Sequence, residues 1–179
     1  MTLHVHLKRG SRFVLSVGPA VVALAAFVPG ASSHAGIAAS PSVCGPHSTV
    51  VWLESRGSPG AGSVYYMLRL TNLSQGRCSL RGYPGVSAID TAGRQLGSAA
   101  GRNARYPVRT ILLAPGKSAQ FLLQLNDPGF FPRSACRPST AAGLRVYLPG
   151  VTAATVVPVP FGACSHVGAV FLHATAVTG

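Results

Sequence analysis

Between residues 48 and 175 the chain alternates between short apolar-rich runs and clusters of Gly, Pro, Ser, Asn and Asp, with no convincing helical period. Residues 63–71 (SVYYMLRLT) show the pattern best. Val64, Tyr66, Leu68 and Leu70 fall on one face, and Tyr65, Met67, Arg69 and Thr71 on the other. A strand with one buried face requires this period of two, because successive side chains point to opposite sides of a pleated backbone. Residues 118–125 (SAQFLLQL) repeat it, with Ala119, Phe121, Leu123 and Leu125 sharing a face. Further strands are predicted at 48–54, on either side of a Tyr83-Pro84-Gly85 turn within 78–90, near Gln95-Leu96, and at 108–113, 143–148, 154–159 and 167–175. The Gly/Pro stretch 55–62, Asp90-Thr91-Ala92-Gly93 and Ala114-Pro115-Gly116-Lys117 supply the turn residues between them. Residues 97–107 and 126–140 are predicted as loops, the second long and Pro-rich. Roughly eight or nine short strands at this spacing predict an all-β domain, an antiparallel β-sandwich of immunoglobulin-like character.

The N-terminus follows a different pattern. Residues 1–12 carry Lys8, Arg9 and Arg12 and no acid, and residues 13–28 are uncharged and largely apolar. Pro29 and Gly30 break that run, and Ser33-His34-Ala35 places small side chains before a cut between Ala35 and Gly36. This order predicts a cleavable Sec-type signal peptide over 1–35. Read instead as an anchor, the apolar run is interrupted by Gly18-Pro19 and falls short of the ~20 residues that span a bilayer. Lys8-Arg9 is followed by Gly10-Ser11 rather than forming a twin arginine, and Cys44 lies too far from the apolar run to accept a lipid. Residues 36–43 (GIAASPSV) read as a linker and 44–179 as one domain. Residues 146–179 hold no charged side chain, yet Pro149, Gly150, Pro158, Pro160 and Gly162 would break a spanning helix, so no membrane span is expected in the mature chain.

Export changes how the cysteines are read. Cys44, Cys78, Cys136 and Cys164 all lie beyond the leader, and no CxxC suggests zinc or a redox pair. Two disulfides are therefore expected. Of the three possible connectivities we favour Cys44–Cys78 and Cys136–Cys164, each tying the start of one segment to the next strands along. Closing such loops stabilises by roughly 3–4 kcal/mol each in the chain-entropy model.

Charge adds a hint about partners. The chain has 15 Lys+Arg against 3 Asp+Glu, a formal net charge of +12, and losing Lys8, Arg9 and Arg12 leaves +9. Such a field favours an anionic partner, here an anionic envelope polymer or protein. The cluster is Arg102–Arg109 (RNARYPVR), in which Arg102, Arg105 and Arg109 are candidate anion contacts. A nucleic-acid site would want a denser basic stripe and several stacking aromatics, so none is expected.

Leu70-Thr71-Asn72, then Cys78-Ser79-Leu80-Arg81-Gly82-Tyr83-Pro84-Gly85-Val86, Asp90 and Gly93, then Leu113-Ala114-Pro115-Gly116-Lys117-Ser118-Ala119, resemble a family of exported actinobacterial proteins known only as a domain of unknown function. The resemblance covers about residues 44–175 and implies a small β-sandwich with paired cysteines. It implies no catalytic residue. Unlike lipoproteins of that family this chain has no lipid-attachment cysteine, which implies a free exported form. The same residues have structural roles to fill: Asn72 would cap a turn through its side-chain oxygen, and Gly82, Pro84 and Gly85 would fix a bend under Tyr83.

Enzyme chemistry finds little to work with. Gly116-Lys117-Ser118 lacks the earlier glycine of a phosphate-binding loop, since Ile111 stands there. No G-x-S-x-G elbow or H-E-x-x-H pair occurs. The mature acids are Glu54, Asp90 and Asp127, and Asp90 and Asp127 sit beside turn residues rather than as a facing pair. Asn72-Leu73-Ser74 matches a glycosylation sequon that matters only in a eukaryotic secretory pathway. The reading is a non-enzymatic binding or structural module at the cell envelope or outside the cell, with no cofactor. The alternative is a metal carrier or enzyme using His47, His166 or His173, because bridge formation could bring His47 and His166 together.

Overall fold

A computed structural model describes residues 40–54 and 56–179. The expected signal peptide and its cut between Ala35 and Gly36 lie outside the described residues. The strands are β1 (Ser42–Val43), β2 (Thr49–Leu53), β3 (Ser58–Gly60), β4 (Ser63–Asn72), β5 (Cys78–Arg81), β6 (Gly85–Ile89), β7 (Gln95–Leu96), β8 (Gly101–Asn103), β9 (Thr110–Leu113), β10 (Ser118–Asn126), β11 (Pro138–Tyr147), β12 (Ala154–Cys164) and β13 (Leu172–Thr175). A 3-10 turn at Pro128–Phe130 and a four-residue helix, α1 (Arg133–Cys136), complete the described part.

The strands form three sheets. The largest runs β2-β4-β10-β13-β8, with β3 also paired to β4; the second runs β12-β11-β6-β7; the third is β1-β5-β9. Pairing is antiparallel except for two short parallel contacts, β1 on β5 and β13 on β8. The fold is thus all-β, as the alternation predicts.

The core follows the same alternation. On β4 and β10, Leu68, Leu70, Ala119, Phe121, Leu123 and Leu125 are buried, and they form one cluster with Val86, Leu144 and Val146 of the second sheet. Each fully buried large side chain contributes about 1.5–3 kcal/mol relative to exposure. Strand β12 lies at the edge of its sheet. It carries Pro158 and Pro160, which offer no N–H to a further strand. Opposite it, β11 changes register between Ala141 and Gly143. A Cβ at residue 143 would stand 2.6 Å from the Val157 carbonyl oxygen, so the bulge closes only with glycine.

Five short elements, and the start of β11, depart from the sequence expectation. Residues 42–43 of the linker pair with Cys78 and Ser79 as β1, and the 55–62 turn contains β3. The loop at 97–107 contains β8, and the loop at 126–140 contains the 3-10 turn, α1 and the start of β11. Such short elements bury no complete face, so no alternation marks them: β3 is wholly exposed, and β8 has no buried residue.

Asn72 joins the largest sheet to the smallest. It is fully buried, and its Nδ2 donates to the carbonyl oxygens of Gly76 (2.9 Å) and Leu113 (3.0 Å). Its Oδ1 accepts from Ser74 N (2.9 Å) and Ser74 Oγ (2.7 Å), the turn-capping role expected of it. Its backbone is bonded to Lys117 and Gly116 of the β9–β10 turn. All four side-chain hydrogen-bonding positions are used, and the sequon asparagine is closed to modification in the fold.

Asn72→Ala leaves the Leu113 carbonyl without its side-chain donor and frees the Ser74 hydroxyl to donate to Gly76 O, 2.9 Å away. The expected loss is about 1–3 kcal/mol by denaturant unfolding. Asn72→Asp, which sets an oxygen against both carbonyls, is expected to lose at least as much; a variant as stable as the parent would show the network to be dispensable.

Candidate functional site

Two regions combine exposed chemistry with a concave surface. The first is built by β8 and the turn after it. Arg102 is exposed on β8, with its guanidinium 5.4 Å from the centre of the Tyr83 ring. Asn103 Oδ1 accepts from Arg105 N (3.1 Å), which fixes the turn, and the Arg105 guanidinium lies 5.7 Å from the Tyr106 ring. Exposed cation–π contacts of this kind are worth about 0.5–1 kcal/mol and hold long side chains in place. Tyr106 and Arg109 then line a cavity of about 410 Å³ with Pro107, Ile111 and Val177.

None of these three arginines is neutralised among the described residues. The ion pairs there are Arg69 with Glu54, and Arg94 with Asp90 at 2.8 Å. The segment thus presents exposed positive charge braced by two tyrosines. The sequence singled out Arg102, Arg105, Arg109 and Tyr106; it could not reveal Tyr83, which reaches Arg102 only through the fold.

The second region is a cleft of about 490 Å³ where β3, the end of β10 and β12 converge, lined by Tyr66, Leu125, Asp127, Phe130, Pro160 and Phe161. Asp127 follows β10 and caps the 3-10 turn, its Oδ1 accepting from Gly129 N (2.8 Å), the turn-forming role expected of it. Phe130 N donates to the Asp127 carbonyl oxygen (3.0 Å), and Phe130 is 74% exposed. Sequence reading missed this cleft. The signal available was Phe130-Phe131 inside a Pro-rich loop, where aromatic side chains have no strand face to fill.

The favoured disulfides are both present. Cys44–Cys78 has a Cα separation of 4.9 Å and Cys136–Cys164 one of 4.5 Å. The histidines lie on different elements: exposed His47 in the turn before β2, His166 beyond β12, and His173 on β13 opposite Gln124. His166 N donates to Cys136 O (3.0 Å), so the second bridge orders its backbone. Among the described residues no three His, Cys, Asp or Glu side chains gather as metal ligands. The alternative in which bridge formation brings His47 and His166 together yields no such group, because Cys44–Cys78 and Cys136–Cys164 close separate parts of the fold.

The chain belongs to the family described as a domain of unknown function, DUF4232, whose match spans residues 44–178. No curated protein matches it. Among the described residues no helix is long and apolar enough to cross a membrane.

One electrostatic feature gives a pH signature. Asp90 is held below its usual 3.8, chiefly by the Arg94 backbone N–H (2.8 Å) and then by the Arg94 side chain (2.8 Å), with a smaller contribution from Ala92 N. A carboxylate depressed in the folded state stabilises above its unfolded pKa, and that contribution is lost as pH falls through the lower folded value. Asp90→Asn removes the charge but keeps Oδ1. The stability gap between parent and variant is therefore expected to be constant near neutrality and to narrow below about pH 4. Melting curves across pH check this, and a gap unchanged into strong acid would contradict it.

Proposed function

We propose that this member of the family is an exported, non-enzymatic binding module, built as an immunoglobulin-like sandwich, that engages an anionic polymer of the cell envelope. The observation that carries the reading is the arginine edge. Arg102 and Arg105 lie over tyrosine rings, and Arg109 borders the adjoining cavity, all three without an acidic partner among the described residues. Braced guanidinium groups lose less rotamer freedom on binding, and their planar donors suit the oxygens of phosphate or carboxylate groups.

Export is supported by the basic, apolar and small-residue order of residues 1–35 and by two disulfides, which suit an oxidising compartment. The actinobacterial origin implied by the resemblance belongs to the same proposal. The non-enzymatic reading is supported by how the reactive groups are used. All four cysteines are bridged, and Glu54 and Asp90 are each bound to an arginine.

The test is binding of the mature protein to an immobilised polyanion such as polyphosphate, repeated at increasing salt and with Arg102, Arg105 and Arg109 changed together to Gln. Exposed charges are screened within ~8 Å at physiological ionic strength. Binding is therefore expected to weaken steadily with salt, and the triple variant to bind at least about tenfold more weakly, given about 1 kcal/mol per basic residue at an anionic surface. Salt-insensitive binding, or a triple variant equal to the parent, would reject the reading. Export is checked separately by N-terminal sequencing of protein from the culture medium, which is expected to begin at Gly36; retention of the full chain inside the cell would refute it.

A further inference from the structure

We propose that the cleft around Asp127 is a binding site for a small quaternary ammonium ion. Asp127 would serve as counter-charge and Tyr66, Phe130 and Phe161 as the aromatic wall. The site is separate from the arginine edge and needs the opposite charge in its ligand.

Charge carries the first step. Of the three side-chain carboxylates among the described residues, Glu54 is paired with Arg69 and Asp90 with Arg94. Asp127 has no ion-pair partner there, in a chain whose formal net charge is +12. Its Oδ1 is engaged by Gly129 N, and its Oδ2 makes no hydrogen bond among the described residues. An unpaired carboxylate lining a cleft in a cationic protein disfavours an anion and leaves a cation as its complement.

The walls carry the second step. The aromatic residues Tyr66, Phe130 and Phe161 line the cleft together with the apolar Leu125 and Pro160. A hard metal ion would need several oxygen ligands, and no group of three acids, histidines or cysteines stands here. A primary ammonium would need up to three acceptors. A methylated ammonium needs none, keeps an apolar surface, and is attracted by aromatic faces as well as by the carboxylate.

The third step is that the walls are held in place. Asp127 N donates to the Gly62 carbonyl oxygen (2.9 Å), and Phe130 N to that of Asp127 (3.0 Å). Gly62 has a φ of +66°, and a Cβ there would come 3.0 Å from Cε2 of Phe130, so the ring sits where only glycine leaves room. The backbone that carries Phe130 is thereby fixed beside the carboxylate, and Phe130 itself is 74% exposed.

The test is a titration of the isotope-labelled mature protein with choline and with its uncharged tert-butyl carbon isostere, read from backbone amide shifts. Choline is expected to shift amides of residues 60–62 and 127–130 and to saturate. The isostere is expected to bind at least about tenfold more weakly, as is choline to Asp127→Asn, which keeps the Oδ1 cap. Phe130→Ala, an exposed position with little folding cost, is expected to weaken choline about threefold or more. The triple arginine variant should bind choline unchanged, which separates this site from the arginine edge. Equal binding of choline and its isostere, undiminished binding by Asp127→Asn, or the absence of saturable shifts would overturn the proposal.

Discussion

The buried amide of Asn72 holds together parts of the fold that the strand ladders leave apart. Strands β2, β4 and β10 form one sheet, and β5 and β9 belong to another. Asn72 ends β4, captures Leu113 at the end of β9, and closes the turn that leads to β5. Because an unsatisfied amide or carbonyl at this depth is costly, the four bonds act together: the position admits a side chain with two donors and two acceptors at that reach and little else. The Gly116 turn completes the arrangement through the Asn72 backbone. Thus the leucine-threonine-asparagine and proline-glycine-lysine stretches, far apart in sequence, meet at a single residue.

The two disulfides act at a different scale. Cys44–Cys78 fastens the chain just after β1 to the start of β5, and Cys136–Cys164 fastens the end of α1 to the end of β12. Both enclose short spans of sequence next to elements with few apolar contacts of their own. The 126–140 segment in particular has α1 and the 3-10 turn but contributes Cys136 as its buried residue there. A covalent tie stabilises such a segment where burial does not. By ordering that segment it also fixes one side of the aromatic cleft.

Scarcity of acid shapes the rest of the surface. With three side-chain carboxylates among the described residues and two of them consumed by neighbouring arginines, most arginines are left to solvent, to tyrosine rings or to backbone carbonyls, as Arg145 is to Gly93. This distribution makes the β8 edge positive and leaves Asp127 as a local exception. The two proposed sites therefore have opposite ligand preferences on one small domain.

The pattern of residues determined a good deal. Strict alternation in 63–71 and 118–125 specified β4 and β10 with the correct inner faces, because one buried face imposes a period of two. Turn chemistry placed the β6–β7 hairpin at Asp90–Gly93 and the turn from β9 into β10 at 114–117, and four cysteines beyond an export-like leader led to the pairing observed. Asn72 and Asp127 were legible as turn formers, since that role is local. What tertiary structure alone decided were contacts between residues distant in sequence. Neither β8 on β13, nor Tyr83 under Arg102, nor the convergence of Tyr66, Asp127, Phe130 and Phe161 leaves a periodic or local trace. Periodicity records which face of one strand is buried. It carries no information about which edges, loops and rings the packing of whole sheets then brings side by side.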